Sequence, residues 1–491
     1  MAIEKQRLQL KSALSFLLYF TIIFGVVPFS GVAYYKHKIL KLSVFGNIWA
    51  LVNVAHNVLE HHLASTRFIL SDKQETGTLT NIIGLVIMYL EPVMYSIDVI
   101  GILLNQNKII ACIDQMHKID EKLLKENIEF DYFRLKRVTI ILVAVITILE
   151  LSLVTYNLLL FQEFRLDSLY WICTGIPIFL STISKVWYVA LVYNVKQKFA
   201  AINDHFENTR KFFDLSKKEK VIAALLKSPN ERDDDDDDLP GYLHKEILVR
   251  PMKRNRKIHR VDEISISGRI ENDVAVISML LCPSYRKRFL LGNPTIKVTN
   301  QFQIDDKMDK KLTNLCQLHD EICEIGKTIN SMFSFQMLIL MANGFMNLTA
   351  QFFFVYCGRV DQNIPVLFRS AESLLISIIF IVYTASKCVF IIFISWKTKI
   401  DAQKTGVQIH KLANAIDEDH CYQVVNHLSL KLLNHSLNFT ACGFFDLDMT
   451  TLYAITGAIT SYLIILIQFN LASNRKKPTA LNETMSNSTE T

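Results

Sequence analysis

The sequence predicts an all-α polytopic membrane protein: seven transmembrane helices, a cytoplasmic N-terminus, an extracellular C-terminus and a cytoplasmic helical anchor region. Three observations lead there. Of the 491 residues, 51% are apolar and 20% charged, and the apolar ones fall in long blocks rather than short amphipathic repeats. Seven blocks approach or exceed the roughly 20 residues that cross a bilayer; they lie at 39–59, 81–104, 138–161, 169–193, 332–357, 371–395 and 449–470. Lys and Arg then concentrate in alternate connections.

The first element is Leu14 to Phe29, an apolar stretch that is short and runs into Pro28, with Lys36 and Lys38 following. It has no basic leader followed by a small-x-small cleavage site, so it reads as a re-entrant segment rather than a signal peptide or an eighth span. The connection 105–137 carries Lys108, Lys118, Lys122, Lys125, Arg134, Lys136 and Arg137, and 396–448 carries Lys397, Lys399, Lys404, Lys411 and Lys431. The opposite loops hold Arg67, Lys73, Arg165, Arg359 and Arg369. The richer set belongs in the cytoplasm. The sequons Asn482-Glu483-Thr484 and Asn487-Ser488-Thr489 agree with an outer C-terminus, while Arg475, Lys476 and Lys477 pull the other way.

Four regions follow. Residues 1–213 hold the N-terminal segment and spans one to four. Residues 214–310 form a cytoplasmic insertion, residues 311–470 hold anchor helices and spans five to seven, and residues 471–491 are a short extracellular tail. The insertion contains the acidic run Asp233 to Asp238, then Leu239-Pro240-Gly241, then the basic run Lys253-Arg254-Asn255-Arg256-Lys257. Like-charge blocks repel themselves and stay solvated, so the insertion is expected to be mostly disordered. A divalent cation on the acidic run, or anionic lipid on the basic one, is the alternative. No folded nucleic-acid module is visible. Its flanks differ: Leu315, Leu318, Ile322, Ile325 and Ile329 follow a helical period, as do apolar residues from Val407 to Leu433. Such helices, too polar to cross, would pack beneath the membrane.

The nine cysteines have no zinc spacing, and reduced thiols are the default. Only Cys173 and Cys357 fall near the outer face, where a disulfide is the alternative. There is no Gly-rich phosphate loop, no Gly-x-Ser-x-Gly and no His-Glu-x-x-His. His61-His62 is expected in a solvated external loop. No catalysis, cofactor or metal is implied.

The last span carries the strongest functional signal. At 100° per residue, Ala458, Ser461, Ile465, Gln468 and Phe469 form one stripe. Around a shared axis, the small end would open a vestibule, Ile465 and Phe469 would close it by dewetting, and Gln468 would offer a polar ring to a passing ion. Alternatively, the helix is packed and Gln468 bonds a neighbour.

Ser461-Tyr462, five apolar residues and Gln468-Phe469 in a final span resemble the signature of insect gustatory receptors, whose pattern is Thr-Tyr, five hydrophobics, Gln-Phe. Ser461 replaces the Thr and keeps its hydroxyl. The span count and orientation resemble the family over nearly the whole chain. The resemblance implies a tetrameric, ligand-gated, non-selective cation channel with the seventh span lining a central pore. It places the gate at Ile465, Gln468 and Phe469, with Ser461 on the pore wall and Tyr462 a contact between helices. Leu463 stands where the main sugar-receptor branch has Glu, and a long insertion is similar to that of fructose-type relatives. The implied partners are a small-molecule tastant, membrane lipid, permeant cations, further copies in a homotetramer and other gustatory receptors. The implied location is the plasma membrane of chemosensory neurons.

Charges inside spans complete the picture. Asp98, Lys185 and Lys387 lie about 9–12 Å from the cytoplasmic face at about 1.5 Å per residue, so an acid and a base at one depth can pair across helices. Snorkelling of the lysines and a direct ligand role are the alternatives. Glu91, Glu150 and Glu372, with Trp171, Gln351, Tyr356 and Tyr383, lie from mid-span outward. As a set they are candidates for a half-buried pocket that takes a small polar ligand; singly, each also suits ordinary bonding between helices. A G-protein-coupled receptor is opposed by the orientation and by the lack of Asp/Glu-Arg-Tyr and Asn-Pro-x-x-Tyr. A transporter would show repeated halves with broken helices, for which only Pro92 and Pro177 fit.

Overall fold

In a computed structural model, the chain is helical almost throughout. The structure describes residues 2–31, 34–35, 40–71, 78–128, 130–163, 168–226, 301–360, 371–416, 425 and 437–487. Among them lie eight helices and one short hairpin. The helices are α1 Ala2–Ile23, α2 Val44–Ser71, α3 Thr78–Lys125, α4 Tyr132–Glu163, α5 Ser168–Leu226, α6 Gln301–Val360, α7 Ala371–Ile416 and α8 Met449–Asn487. Strands β1 Thr440–Ala441 and β2 Phe445–Asp446 precede α8.

Six of these, α3 to α8, contain stretches long and apolar enough to cross a membrane. Helix α2 is the first span of the expected seven, shifted outward from 39–59. Asn53, Asn57, Glu60 and His61 dilute its hydropathy, yet Val44, Phe45, Ile48, Leu51, Leu59 and Leu63 are exposed on it, as a lipid-facing helix requires. The helix does not stop at residue 59. Glu60-His61-His62 therefore lies within a helix, with His61 1% exposed, and not in a solvated loop.

Helix α1 ends in a glycine cap. Gly25 adopts φ 67°, its N–H bonds to Ile22 O at 3.1 Å, and Val26 N–H bonds to Thr21 O at 2.9 Å. The chain turns back there, beside Phe179 of α5, which packs edge-on against Phe20 and Phe24. Phe179 lies near the middle of the expected fourth span, 169–193. Ser43 then starts α2 by accepting a bond from Gly46 N–H at 3.1 Å. Asn127 closes α3 with the same double bond pattern as Gly25 (Asn127 N–H to Leu124 O at 3.0 Å, Ile128 N–H to Leu123 O at 2.9 Å).

The described chain packs as two units. One comprises Met1–Asp204, Thr313–Gln408 and Asn426–Thr491; the other comprises His205–Leu312 and Ile409–Val425. In the first, α5 is the most deeply buried span, and none of the most apolar stretch of α8 is buried. In the second, the pairs Arg210–Asp214 at 3.1 Å and Lys211–Glu207 at 3.0 Å follow a helical i, i+4 spacing. Helices α5 and α6 reach Leu226 and begin at Gln301, inside the bounds expected for the insertion. Its acidic and basic runs lie outside the described residues, as does most of the expected amphipathic segment beyond Ile416.

Candidate functional site

Two features of the first unit matter for function: the peripheral helix α8 and a buried polar layer among α3 to α7. Helix α8 is set up by the hairpin. Cys442 and Gly443 both have positive φ, which reverses the chain tightly, and Leu447 N–H bonds to Phe439 O at 2.7 Å. Asn330 of α6 holds β1 at both polar atoms: Thr440 N–H donates to its Oδ1 at 2.9 Å, and its Nδ2 donates to Thr440 Oγ1 at 3.2 Å. Lys399 of α7 pairs with Asp446 at 3.4 Å. Asp448 caps α8, accepting from Thr450 N–H at 3.0 Å and Thr451 N–H at 3.3 Å. The bond from the Thr450 hydroxyl, with those two N–H groups, holds the Asp448 carboxyl below its ordinary range.

From that base α8 touches the bundle with one face only. Leu463, Leu466 and Ile467 pack on Phe353 and Cys357 of α6, and Asn470 Nδ2 lies 3.5 Å from Cys357 Sγ. The face left over contains Ser461, Ile465 (44% exposed), Gln468 and Phe469 (63% exposed). Ser461 donates to Gly457 O of its own helix at 3.0 Å. Tyr462 meets Phe345 edge-on at 5.5 Å while remaining half exposed.

The polar layer lies inside the bundle. Lys185 of α5 pairs with Asp98 of α3, whose Oδ2 also accepts from Ser181 at 2.7 Å. One helical face of α3 carries Glu91, Tyr95 and Asp98 at i, i+4 and i+7. Glu91 Oε1 accepts from Asn343 at 2.9 Å and Asn347 at 3.1 Å, both on α6. Gln336 of α6 donates to the Asp98 backbone carbonyl at 2.8 Å. Tyr383 of α7 donates to Glu150 of α4, and its hydroxyl also lies 3.4 Å from that of Thr182 on α5. The Lys387 ammonium sits 4.5 Å above the Tyr383 ring. Each of the five helices contributes a buried polar side chain.

The layer lies where two helices are interrupted. Pro92 of α3 and Pro177 of α5 lack the N–H groups that would take the carbonyls of Met88 and Cys173, four residues earlier. The buried imidazole of His61 lies close to those two carbonyls. It also stacks edge-on with Tyr89 at 5.7 Å.

The candidate residues separate into groups. The structure brings Glu91, Glu150 and Tyr383 together, along with Asp98, Lys185 and Lys387; Lys387 rests on an aromatic face rather than in the Asp98 pair. Tyr356 is half buried and belongs to the α6 surface that receives α8, away from the layer. Gln351 is half buried on α6, and Glu372 is exposed at the start of α7. The side chain of Trp171 lies outside the described residues. Cys173 and Cys357 pack in separate clusters, so no disulfide joins them. Sequence reasoning passed over Asn343, Asn347 and Thr182. Two amides at i, i+4 within an apolar span were the available signal.

Residues 14–237 and 286–473 match the family described as 7tm chemosensory receptor. The chain belongs to that family. It is 36% identical over 483 residues to the gustatory receptor for bitter taste 66a of Drosophila melanogaster, covering 94% of this chain and 89% of that one. It is 28% identical over 206 residues to the putative gustatory receptor 28a of the same fly, covering 42% of this chain and 44% of that one. Among solved structures, the olfactory receptor OR5 of the insect Machilis hrabei matches with a TM-score of 0.57 at 9% identity, covering 94% of this chain and 99% of that one. The last likeness is one of fold. Members of the family are ligand-gated cation channels that respond to small molecules, and this chemosensory receptor is a multi-pass membrane protein.

Proposed function

We propose that this chain is a tastant-gated, non-selective cation channel of the plasma membrane of chemosensory neurons, with no enzymatic activity. In this reading four copies meet along α8 and conduct ions between them, and the tastant binds at the outer part of the polar layer, around Glu91, Glu150 and Tyr383. The N-terminus is cytoplasmic and the C-terminus extracellular. One observation carries the reading: α8 holds a hydroxyl, an amide and two bulky apolar side chains on a face that its own bundle does not cover. An amide facing lipid is costly, whereas along an axis between copies it meets water or a partner. Ile465 and Phe469 are then the closing groups, Gln468 the polar ring and Ser461 part of the vestibule. The relative named for bitter taste spans nearly the whole chain, which favours bitter compounds over fructose or another sugar as the ligand class. The family match and the fold speak for a channel over a G-protein-coupled receptor or a transporter.

The tastant opens such a channel only through a higher affinity for the open arrangement. The test is patch recording from cells that express this chain alone, against a panel of bitter compounds and sugars. Ligand-evoked, weakly selective cation currents are expected. Ile465→Ser and Phe469→Ser should leak without ligand, and Gln468→Ala should alter relative permeabilities. Surface expression with no current, or three variants that behave like the parent, would remove the reading.

A further inference from the structure

Helix α4 has two unlike faces. On one, Tyr132, Leu135, Thr139, Val143 and Glu150 are buried in the bundle. On the other, at 100° per residue, Phe133, Arg134, Arg137, Ile141, Ile148 and Leu151 fall within an arc of about 120°. All six are exposed, Phe133 by 61% and the Arg134 side chain by 76%.

The order of groups along this face matches the parts of an anionic phospholipid. From Ile141 to Leu151 the face is apolar. At about 1.5 Å per residue it runs about 15 Å, half of the roughly 30 Å hydrocarbon core. Arg137 stands about 6 Å before Ile141, and Arg134 nearly one turn earlier. That is the level of the head groups.

The two arginines are poorly compensated. The Arg137 guanidinium lies 4.7 Å above the Phe133 ring, which restrains it there, and it has no carboxylate partner among the described residues. Arg134 reaches a carboxylate only at 3.8 Å, that of Asp131, and both side chains are largely exposed. Such a tie is worth little in water. Asp131 is itself engaged in capping α4, where it accepts from Phe133 N–H at 2.9 Å.

We propose that this face of α4 binds an anionic phospholipid of the cytoplasmic leaflet, with its head group on Arg134 and Arg137 and an acyl chain along Ile141, Ile148 and Leu151. Guanidinium groups meet phosphate through paired N–H···O bonds. A zwitterionic head offers the same phosphate but brings a choline cation against two arginines. A second copy of the chain would suit the apolar stripe, yet it would have to bring an acidic patch to the same depth. The choice of leaflet rests on the orientation proposed above, and the channel reading is not needed.

The test places the purified full chain in phosphatidylcholine nanodiscs that contain a small share of a lipid with a diazirine in its acyl chain and either a phosphoserine or a phosphocholine head. Cross-linked residues are mapped by mass spectrometry. The serine lipid should label the Ile141–Leu151 stripe at least about fivefold more than the choline lipid, the factor that one basic residue supplies near an anionic surface. Arg134→Gln with Arg137→Gln should bring that ratio close to one. Lys108→Gln with Lys118→Gln removes two exposed charges elsewhere and should leave it unchanged. Soluble glycerophosphoserine should not compete, and competition by it would assign the arginines to a free phosphate ligand and overturn the proposal. Equal labelling by the two lipids, a stripe labelled by neither, or a preference that survives Arg134→Gln with Arg137→Gln would also overturn it. The comparison of the two lipids on the parent stands without any variant. Selective labelling without evoked current would leave this site standing and remove the channel reading. Evoked current with unselective labelling would do the reverse.

Discussion

Replacing Lys185 with Met tests whether the Asp98 pair is structural. The variant keeps the length and apolar stem of the side chain and removes only the ammonium. It strands a carboxylate that is 1% exposed and keeps the Ser181 hydroxyl as a donor at 2.7 Å. Breaking a buried pair on one side costs about 3–5 kcal/mol, because the remaining charge stays desolvated. Lys387→Met is the matched control. Its ammonium is half buried over a ring at 4.5 Å, a contact of about 0.5–2 kcal/mol. The melting temperature of detergent-purified protein should fall by about 5–15 °C for Lys185→Met and by about 1–5 °C for Lys387→Met. Adding Asp98→Leu to Lys185→Met removes the stranded charge and should recover much of the loss. Equal shifts for the two lysines, or a double variant no better than Lys185→Met alone, would refute the reasoning.

Two further outcomes concern the base of α8. Asn330→Ala removes both bonds to Thr440 and leaves a partly buried backbone N–H open, so the protein should lose about 0.5–2 kcal/mol of stability, read by thermal melting. Asp448→Ala removes the α8 cap and should cost about 0.5–2 kcal/mol near neutral pH. Because the folded carboxyl lies below its ordinary range, its contribution is present above that range and lost as the pH falls through the folded value. The gap in melting temperature between parent and Asp448→Ala should therefore close on acidification, and a gap independent of pH would assign the loss to something other than the carboxylate.

Much of the fold is written in the sequence because crossing a bilayer is a demand on composition. Blocks of apolar residues give the spans, and their spacing gives depth, which is enough to bring Asp98 and Lys185 to one level. What composition cannot give is the environment of a polar residue inside a helix. Asn53, Glu60 and His61 made α2 look shorter than it is. His61 is buried against Tyr89 of another helix, close to carbonyls that Pro92 and Pro177 leave free, and no local pattern announces that. Cys442 likewise gives no turn signal, since only Gly443 is a residue that favours positive φ, so the hairpin at the foot of α8 was not anticipated. In the polar layer, the acids were visible as charges in apolar spans. Their partners Asn343 and Asn347 were visible only as an i, i+4 repeat, whose facing helix is a tertiary fact.

The central claim is that the exposed face of α8 lines a water-filled path. Gln468→Cys, made in a Cys442→Ser background because Cys442 is exposed, offers one thiol on that face. A charged, membrane-impermeant thiol reagent applied from outside during ligand-evoked current should react and block the current irreversibly, while the cysteine-substituted background without Gln468→Cys stays unaffected. A robust evoked current that the reagent leaves intact would show that this face does not line the conduit.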